Sequence, residues 1–411
     1  MQFKDLKLNK PILKALSEKK YEVPTPIQEY TIPLILEGKD IIASAQTGTG
    51  KTAAFALPIL QLLFDKQESG KKGKKVRALV VSPTRELAIQ INDNFNRYSK
   101  FTNLKSAVIF GGASIEPQKE IIKKGVDILI ATPGRLLDLH KQDIINLDYI
   151  ETLVLDEADL MLDMGFIDDV RKIERLCPDK KQILLFSATM PFKVVDLAKT
   201  ILNNPEKIEV APTSSTTKTI NQVLYYTPKP QKIELCLHLL RTTIKGTILI
   251  FRRTKYGVDK LEKSLLNNGY KVAALHGDRS QSERQEAMNS FKRGHANILI
   301  ATDVASRGID IKELDAVINF DLPNVPETYV HRVGRTGRAG NKGMAFSLCS
   351  ADEKNYVVNI QKTIGKIIPI EEEHPFPLDP KATPQIHKKK GSKHKKSRKS
   401  ESSKKKKKRW Y

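Results

Sequence analysis

LVLDEADLML, Leu153 to Leu162, breaks a run of apolar side chains with three carboxylates, Asp156, Glu157 and Asp159. These acids repel one another, and no Lys or Arg lies within ten residues on either side to offset them. If the preceding TLVL is a buried strand, the acids sit where that strand leaves its sheet. In open α/β sheets, the carboxyl ends of strands are where ligands bind. A divalent cation relieves the repulsion, and a second ligand carrying phosphates accounts for the cation. For this stretch taken alone, a charged loop is the alternative.

Similar apolar runs recur along the chain: ALVVSP, SAVIF, DILIAT and QILLFSAT, then TILIF, NILIATD and AVINF. Most are separated by stretches with helical spacing, such as TRELAIQINDNFNRYSKF and YGVDKLEKSLLNNG. Near-continuous apolar strands alternating with helices indicate α/β architecture, with parallel sheets covered on both faces. The chain has 411 residues, more than one hydrophobic core usually serves. The pattern pauses at NNPEKIEVAPTSSTTKTINQ, residues 203–222, which reads as an interdomain linker with a strand beginning near QVLYYT. The expected organisation is a first domain over 1–210, a linker over 211–220, a second domain over 221–370 and a tail over 371–411.

The net charge of +23 is unevenly placed. From Lys381 to Tyr411 there are fifteen basic residues and one acid, a net +14, which leaves +9 for the rest. The tail has no apolar periodicity and is expected to be disordered. Its charge density fits sequence-independent phosphate contact, and Trp410 and Tyr411 at its end are candidates for base stacking. A polyanionic partner, most simply nucleic acid, follows from this balance. No run of eighteen uncharged apolar residues exists to span a membrane. Charges throughout the first twenty residues leave no apolar signal core. Cys177, Cys236 and Cys349 fit neither a disulfide framework nor a zinc site, so a reducing, cytoplasmic setting is expected. Nothing marks an oligomer interface, and a monomer is expected.

ASAQTGTGKTAAF supplies the phosphate ligand that the acids call for. Ala45 to Thr52 fits the loop G-x-x-x-x-G-K-[ST], with Ala45 in place of the first Gly. Gly48 and Gly50 turn backbone N–H groups toward phosphates, Lys51 reaches the β/γ oxygens and Thr52 offers a hydroxyl to Mg²⁺. The loop follows an apolar run and precedes a helical one, a context that a chance Gly-rich turn seldom has. With a nucleotide placed there, Asp156 can hold Mg²⁺ and Glu157 can polarise an attacking water. Asp159 either joins them, caps a helix or pairs with a base elsewhere. YVHRVGRTGRAG in the second half brings Arg332, Arg335 and Arg338. Arg335 and Arg338 are candidate arginine fingers, and an Arg-rich nucleic-acid loop is the alternative for any one of the three.

These motifs, in this order, resemble the DEAD-box RNA helicases over roughly residues 3 to 370. Besides Asp156–Asp159, the resemblance rests on PTPIQ at Pro24–Gln28, AQTGTGKT, PTREL at Pro83–Leu87 and Gly111–Gly112. It continues through TPGR at Thr132–Arg135, SAT at Ser187–Thr189, LIF at Leu249–Phe251 and Q-x-x-R at Gln281–Arg284. ATDVASRGID at Ala301–Asp310 and HRVGRTGR at His331–Arg338 complete it. IFRRTKYG and HGDRSQSER are similar to the bacterial RhlE-like branch. Lys20 departs from the family, standing where many members carry Gly.

The resemblance implies two tandem RecA-like domains that use ATP and Mg²⁺ to act on RNA. Gln28 would read adenine, with Tyr21 stacking, Thr25 assisting and Phe3 as the upstream aromatic. Ala45, Gln46, Thr47, Gly48, Thr49, Gly50, Lys51 and Thr52 would cradle the phosphates. Asp303 would touch the ribose, and Gly308 would lie near the phosphates. Ser187 and Thr189 would link hydrolysis to RNA remodelling, and His331 would couple the domains. Pro83, Thr84, Arg85, Gly112, Thr132, Gly134 and Arg135 would line an RNA groove with Arg284 and Thr302. Such a set suits phosphate contact without base reading. A bent strand would then be pried from short duplexes during ribosome assembly or RNA decay. An ATP-gated RNA clamp or assembly scaffold is the alternative output, and a processive DNA translocase is a further one.

Overall fold

The computed structural model describes residues 1–45, 48–68, 75–210, 220–306, 314–337 and 343–379. In the first half, seven strands form one sheet: β1 (Ile41–Ser44), β2 (Ala78–Val81), β3 (Ser106–Ile109), β4 (Ile128–Ala131), β5 (Thr152–Leu155), β6 (Gln182–Ser187) and β7 (Glu206–Glu209). In the second half, six form another: β8 (Ile220–Tyr226), β9 (Ile248–Arg252), β10 (Val272–Leu275), β11 (Ile298–Thr302), β12 (Ala316–Asn319) and β13 (Gly343–Cys349). The spatial orders are β3-β4-β2-β5-β6-β1-β7 and β10-β11-β9-β12-β13-β8. Shifting β8–β13 onto β1–β6 makes the two orders identical, so the second domain repeats the first without its edge strand β7. All the strand pairings are parallel.

Each central strand feeds two cores because its side chains alternate between faces. Val80 and Val154 point into a cluster with Phe55, Ile91 and Phe95, whereas Leu79 and Leu153 point into one with Leu136, Ile173 and Val194. This is why ALVV and TLVL read as unbroken apolar runs and are buried along their whole length. Burying each such side chain contributes about 1.5–3 kcal/mol. No helix among the described residues is long and apolar enough to cross a membrane.

Two expectations need correction. The pause at 203–222 is not all linker: Glu206–Glu209 forms β7, paired in parallel with β1, and β8 begins at Ile220. Residues 211–219 of the expected linker lie outside the described residues. The second domain also extends past residue 370. Glu371 N–H donates to Leu224 O at 2.9 Å and Leu378 N–H to Tyr226 O at 3.0 Å, which covers the outer edge of β8. Phe376 packs on the second core, and the His374 ring stands edge-on to Tyr225. These contacts are backbone bonds and two rings, which leave no periodic signal in the sequence. The tail from 380 to 411, with Trp410 and Tyr411, lies outside the described residues.

Candidate active site and nucleic-acid groove

The phosphate loop leaves β1 between β6 and β7, and Ala45 N–H donates to Ser187 O at 3.1 Å. Gly48 and Gly50 have φ of 90° and 94°, backbone that favours glycine, and the helix Lys51–Glu68 follows at once. Gly50 is fixed for a second reason: a Cβ there would lie 2.3 Å from Gln28 Nε2. Gln28, 5% exposed, donates through that nitrogen to Gly50 O at 3.0 Å and accepts from Thr25 N–H at 3.0 Å. The expected adenine reader is thus tied to the phosphate loop and caps its own helix. Gln46 and Thr47 lie outside the described residues. Tyr21 is exposed.

Lys51 Nζ lies 2.8 Å from Glu157 Oε1, with both side chains nearly buried. Burial opposes the Lys51 charge, but Glu157, Asp156 and Asp159 more than offset it and hold its pKa above the ordinary value. Burial pushes Asp156 up to about 7, against the pull of Lys51 and with the repulsion of Glu157. Burial also opposes charge on Asp159, yet Lys51, Thr189, His331 and Ser187 keep its pKa below the usual range. Asp159 Oδ2 accepts from both the N–H and the hydroxyl of Thr189 at 2.9 Å, and Asp159 N–H donates to Ser187 Oγ. The bonds of Asp159 to another segment thus go to the hydroxyls and backbone of the SAT stretch, in place of the base that one reading of the sequence expects. Glu157 adopts left-handed backbone, φ 56° and ψ 54°, at the start of the helix Ala158–Asp163. That conformation costs a non-glycine residue about 1–2 kcal/mol and aims the carboxylate into the cleft.

The donor set suits Mg²⁺ shared with a nucleotide. Asp156 is a buried carboxylate whose nearest offsetting charge is one lysine, and Thr52 stands one residue past Lys51 on the helix facing it. No group of three or more His, Cys, Asp or Glu poised for a metal exists among the described residues. Mg²⁺ typically takes one or two protein ligands, with phosphates and water completing its shell.

The second domain closes the other side. A cavity of about 140 Å³ is lined by Glu157, Asp159 and Thr189 from the first domain and by Thr328, His331 and Arg335 from the second. Arg335 is 7% exposed. Arg338 and Gly308 lie outside the described residues. Arg332 faces away from this cavity, and Asp303, expected at a ribose, has both carboxylate oxygens on the Arg332 guanidinium.

The expected groove residues also converge across the two domains. Thr84 Oγ1 accepts from Leu87 N–H and caps the helix Arg85–Tyr98, which places Pro83 and Thr84 at the end of β2. Gly112 has φ 72°, and a Cβ there would lie 2.0 Å from Arg85 Nη2. Arg135, on the helix Pro133–Lys141 that Thr132 and Gly134 open, donates to Ala113 O at 3.1 Å. Burial and the neighbouring Arg284 guanidinium lower the Arg85 pKa, with Arg135 adding to the effect. Arg135 Nη1 and Arg284 Nε are buried donors with no hydrogen-bond partner among the described residues, and donors of this kind suit a phosphate. Thr302 ends β11. Sequence reasoning missed Glu86, whose Oε1 lies 2.8 Å from Arg284 Nη2 across the domain boundary. Its only signal was its place inside PTREL.

The strand correspondence pairs Lys51 with Lys232, the first residue of the helix after β8. Lys232 is 2% exposed and donates to Phe320 O and Leu348 O at 2.8 Å and to Glu353 at 2.5 Å. A lysine spent on its own strand ends holds no phosphate.

Comparison with known proteins agrees with this geometry. The DEAD/DEAH box helicase model matches residues 25–198, and the helicase conserved C-terminal domain model matches 231–340. The chain is 46% identical over 366 residues to the DEAD-box ATP-dependent RNA helicase RhpA of Helicobacter pylori, covering 89% of this chain and 73% of that protein. It is 41% identical over 396 residues to the ATP-dependent RNA helicase RhlB of Shewanella denitrificans, covering 94% and 91%. The structure of S. cerevisiae Dbp5 bound to RNA and ADP BeF3 superposes with a TM-score of 0.79 at 34% identity, covering 90% of this chain and 95% of that one.

Proposed function

Because the chain belongs to the DEAD-box family of ATP-dependent RNA helicases, we propose that it grips RNA without strong sequence preference and opens short duplexes locally as its domains close on ATP. The observation that carries this is the cavity shared by Glu157, Asp159 and Thr189 with His331 and Arg335. A site assembled from two domains hydrolyses ATP only when they meet, so whatever brings them together controls the chemistry. RNA is that agent, because Arg85 and Arg135 of the first domain converge with Arg284 of the second. Dbp5 holds RNA and ADP BeF3 together in the same fold, which supports simultaneous occupancy here.

In this reading Gln28, Thr25 and Tyr21 select adenine, and residues 45–52 cradle the phosphates. Glu157 orients and accepts a proton from water, while Arg335 and Arg338 offset charge on the transferred group. Thr52 and Asp156 would hold Mg²⁺, which when bound would neutralise negative charge on the phosphates. Ser187 and Thr189 sense Asp159, and His331 lies against the same carboxylate from the other domain. Thr84, Arg85, Gly112, Thr132, Gly134, Arg135, Arg284 and Thr302 hold the strand by its phosphates and sugars. The +14 tail tethers RNA nonspecifically. Structured RNA of ribosome assembly or decay is the substrate class in view.

Steady-state ATP hydrolysis without nucleic acid, with RNA and with matched DNA tests the reading, beside strand separation of a duplex of about one helical turn. RNA-specific stimulation with strand release is expected. RNA-stimulated hydrolysis without strand release would mean a clamp instead, and equal rates in all three conditions would overturn RNA-driven closure.

A further inference from the structure

Arg332 lies between two cleft-directed residues, His331 and Arg335, yet points the other way. It is 2% exposed. Its Nε donates to Asp303 Oδ1 at 2.6 Å and its Nη2 to Asp303 Oδ2 at 2.7 Å, a bidentate pair. Its Nη1 donates to Asn319 Oδ1 at 3.1 Å and to Asp321 O at 2.6 Å, and the guanidinium stands 4.9 Å from the Phe251 ring centroid. One side chain thus gathers the ends of β9, β11 and β12 and fixes them to the helix Pro326–Val333.

The identity of the joined ends matters. Asp303 directly follows Thr302, assigned above to the RNA groove. Arg335 N–H donates to Arg332 O at 3.1 Å, so the Arg332 backbone also sets the start of the segment carrying Arg335. A bidentate guanidinium–carboxylate pair resists both sliding and rotation. A shift of the β11 end on meeting RNA is therefore passed to the helix that presents His331 and Arg335 to ATP. We infer that Arg332, with Asp303, is a positioning pair that transmits RNA occupancy to the ATP site within the second domain. The inference rests on the helicase reading above. It takes Arg332 out of the phosphate-contacting arginines and gives Asp303 a protein partner in place of a ribose. A buried pair that merely holds the fold would show the same burial, and coupling separates the two roles.

The test measures binding of a fluorescein-labelled oligouridine to the full chain by anisotropy, with and without ADP–beryllium fluoride. Wild type, Arg332→Lys and Asp303→Asn are compared, with thermal melts of each. Lysine cannot bridge both oxygens, and asparagine keeps the shape while losing the charge. Nucleotide-free RNA affinity should stay within about threefold, while the nucleotide-induced gain in RNA affinity falls by about tenfold, inside the usual range of coupling between sites. An unchanged gain in both variants would overturn the inference, as would equal loss of RNA binding in both nucleotide conditions. Failure of both variants to fold would also overturn it by making the pair a fold element alone. If wild type itself showed no gain, the helicase reading would fail first, which distinguishes the two failures.

Discussion

Arg284 Nη2 and Glu86 Oε1 lie 2.8 Å apart although they belong to different domains, and both side chains are at most 15% exposed. Arg284 is a candidate RNA phosphate ligand, and Glu86 is the acid that holds it in the absence of RNA. A phosphate approaching Arg284 must compete with that carboxylate. Replacing Glu86 with Gln removes the negative charge at nearly constant volume. RNA binding at low salt should tighten several-fold, because a neutral amide beside Arg284 attracts its guanidinium less than the carboxylate of the ion pair does. Anisotropy titrations of Glu86→Gln against wild type decide the matter. Weaker binding would mean that Glu86 orients Arg284 for the phosphate and does not compete with it.

Glu157→Gln should separate binding from chemistry. Glutamine can still accept from Lys51 through its carbonyl oxygen, so ATP and RNA affinities should change little. It cannot take a proton from water. General-base removal costs about 10²–10⁴ in rate, so RNA-stimulated hydrolysis should fall at least a hundredfold. Single-turnover kinetics with labelled ATP read this directly. A proportional loss of ATP binding would instead assign Glu157 to holding the Lys51 side chain in place.

The raised pKa of Asp156 predicts a proton released on Mg²⁺–ATP binding. In the free protein burial holds this carboxyl up to about 7, so near neutrality it carries a proton part of the time. A cation bound there requires the carboxylate. Calorimetry at pH 6.5 in buffers of different ionisation enthalpy should show apparent binding enthalpies that scale with the buffer, and this dependence should shrink by pH 8.5. Without nucleotide the sign for stability is opposite to that of an ordinary paired acid. A folded-state pKa above the unfolded value of about 3.9 gives stability that is fully present at low pH and lost as pH rises from about 4 through 7. Asp156→Asn should abolish both effects.

Lys20, the departure that puts a local turn in question, stands on strained backbone. Its φ is 57°, left-handed backbone that favours glycine. Lysine there carries about 1–2 kcal/mol of strain, while glycine adds about 0.5–1 kcal/mol of unfolded-state entropy. Lys20→Gly should therefore stabilise the first domain by about 0.5–1 kcal/mol, measured by urea unfolding. No gain would mean that the lysine side chain recovers the strain through contacts of its own.

Much was legible because the chemistry is written in local segments. Gly48, Gly50 and Lys51 announce themselves because a phosphate loop needs adjacent residues, and β2, β4 and β5 do so because a strand covered on both faces has no polar side. Features that depend on distant partners were not legible. Glu86 meets Arg284 only after two domains fold and meet. Arg332 looks like its neighbours in an arginine-rich segment, and only the placement of Asp303, Asn319 and Asp321 turns it inward. Strand β7 was hidden because EKIE is an edge strand with three of four side chains exposed, so it lacks the apolar run of a central one.

Lys232 and Glu353 present the same difficulty and yield the last prediction. Nothing in KIELCLHLL marks its first lysine as buried, yet Lys232 and Glu353 are 2% and 3% exposed and 2.5 Å apart. Removing one member of a buried ion pair leaves an uncompensated charge and costs about 3–5 kcal/mol. Lys232→Met should therefore destabilise the second domain by about that amount in a urea melt. Arg253, whose Nη2 lies 2.9 Å from Glu353 Oε1, leaves Glu353 one charged partner and places the loss toward the lower end. Adding Glu353→Gln to Lys232→Met removes the stranded carboxylate and should recover part of the loss, although Leu322 N–H and Ser350 still need an acceptor there. The double-mutant cycle measures the coupling. A large positive coupling with ATP affinity intact would show that the residue matching Lys51 by strand order now serves the fold. A loss of ATP affinity in Lys232→Met, with stability unchanged, would instead put this lysine in the nucleotide machinery.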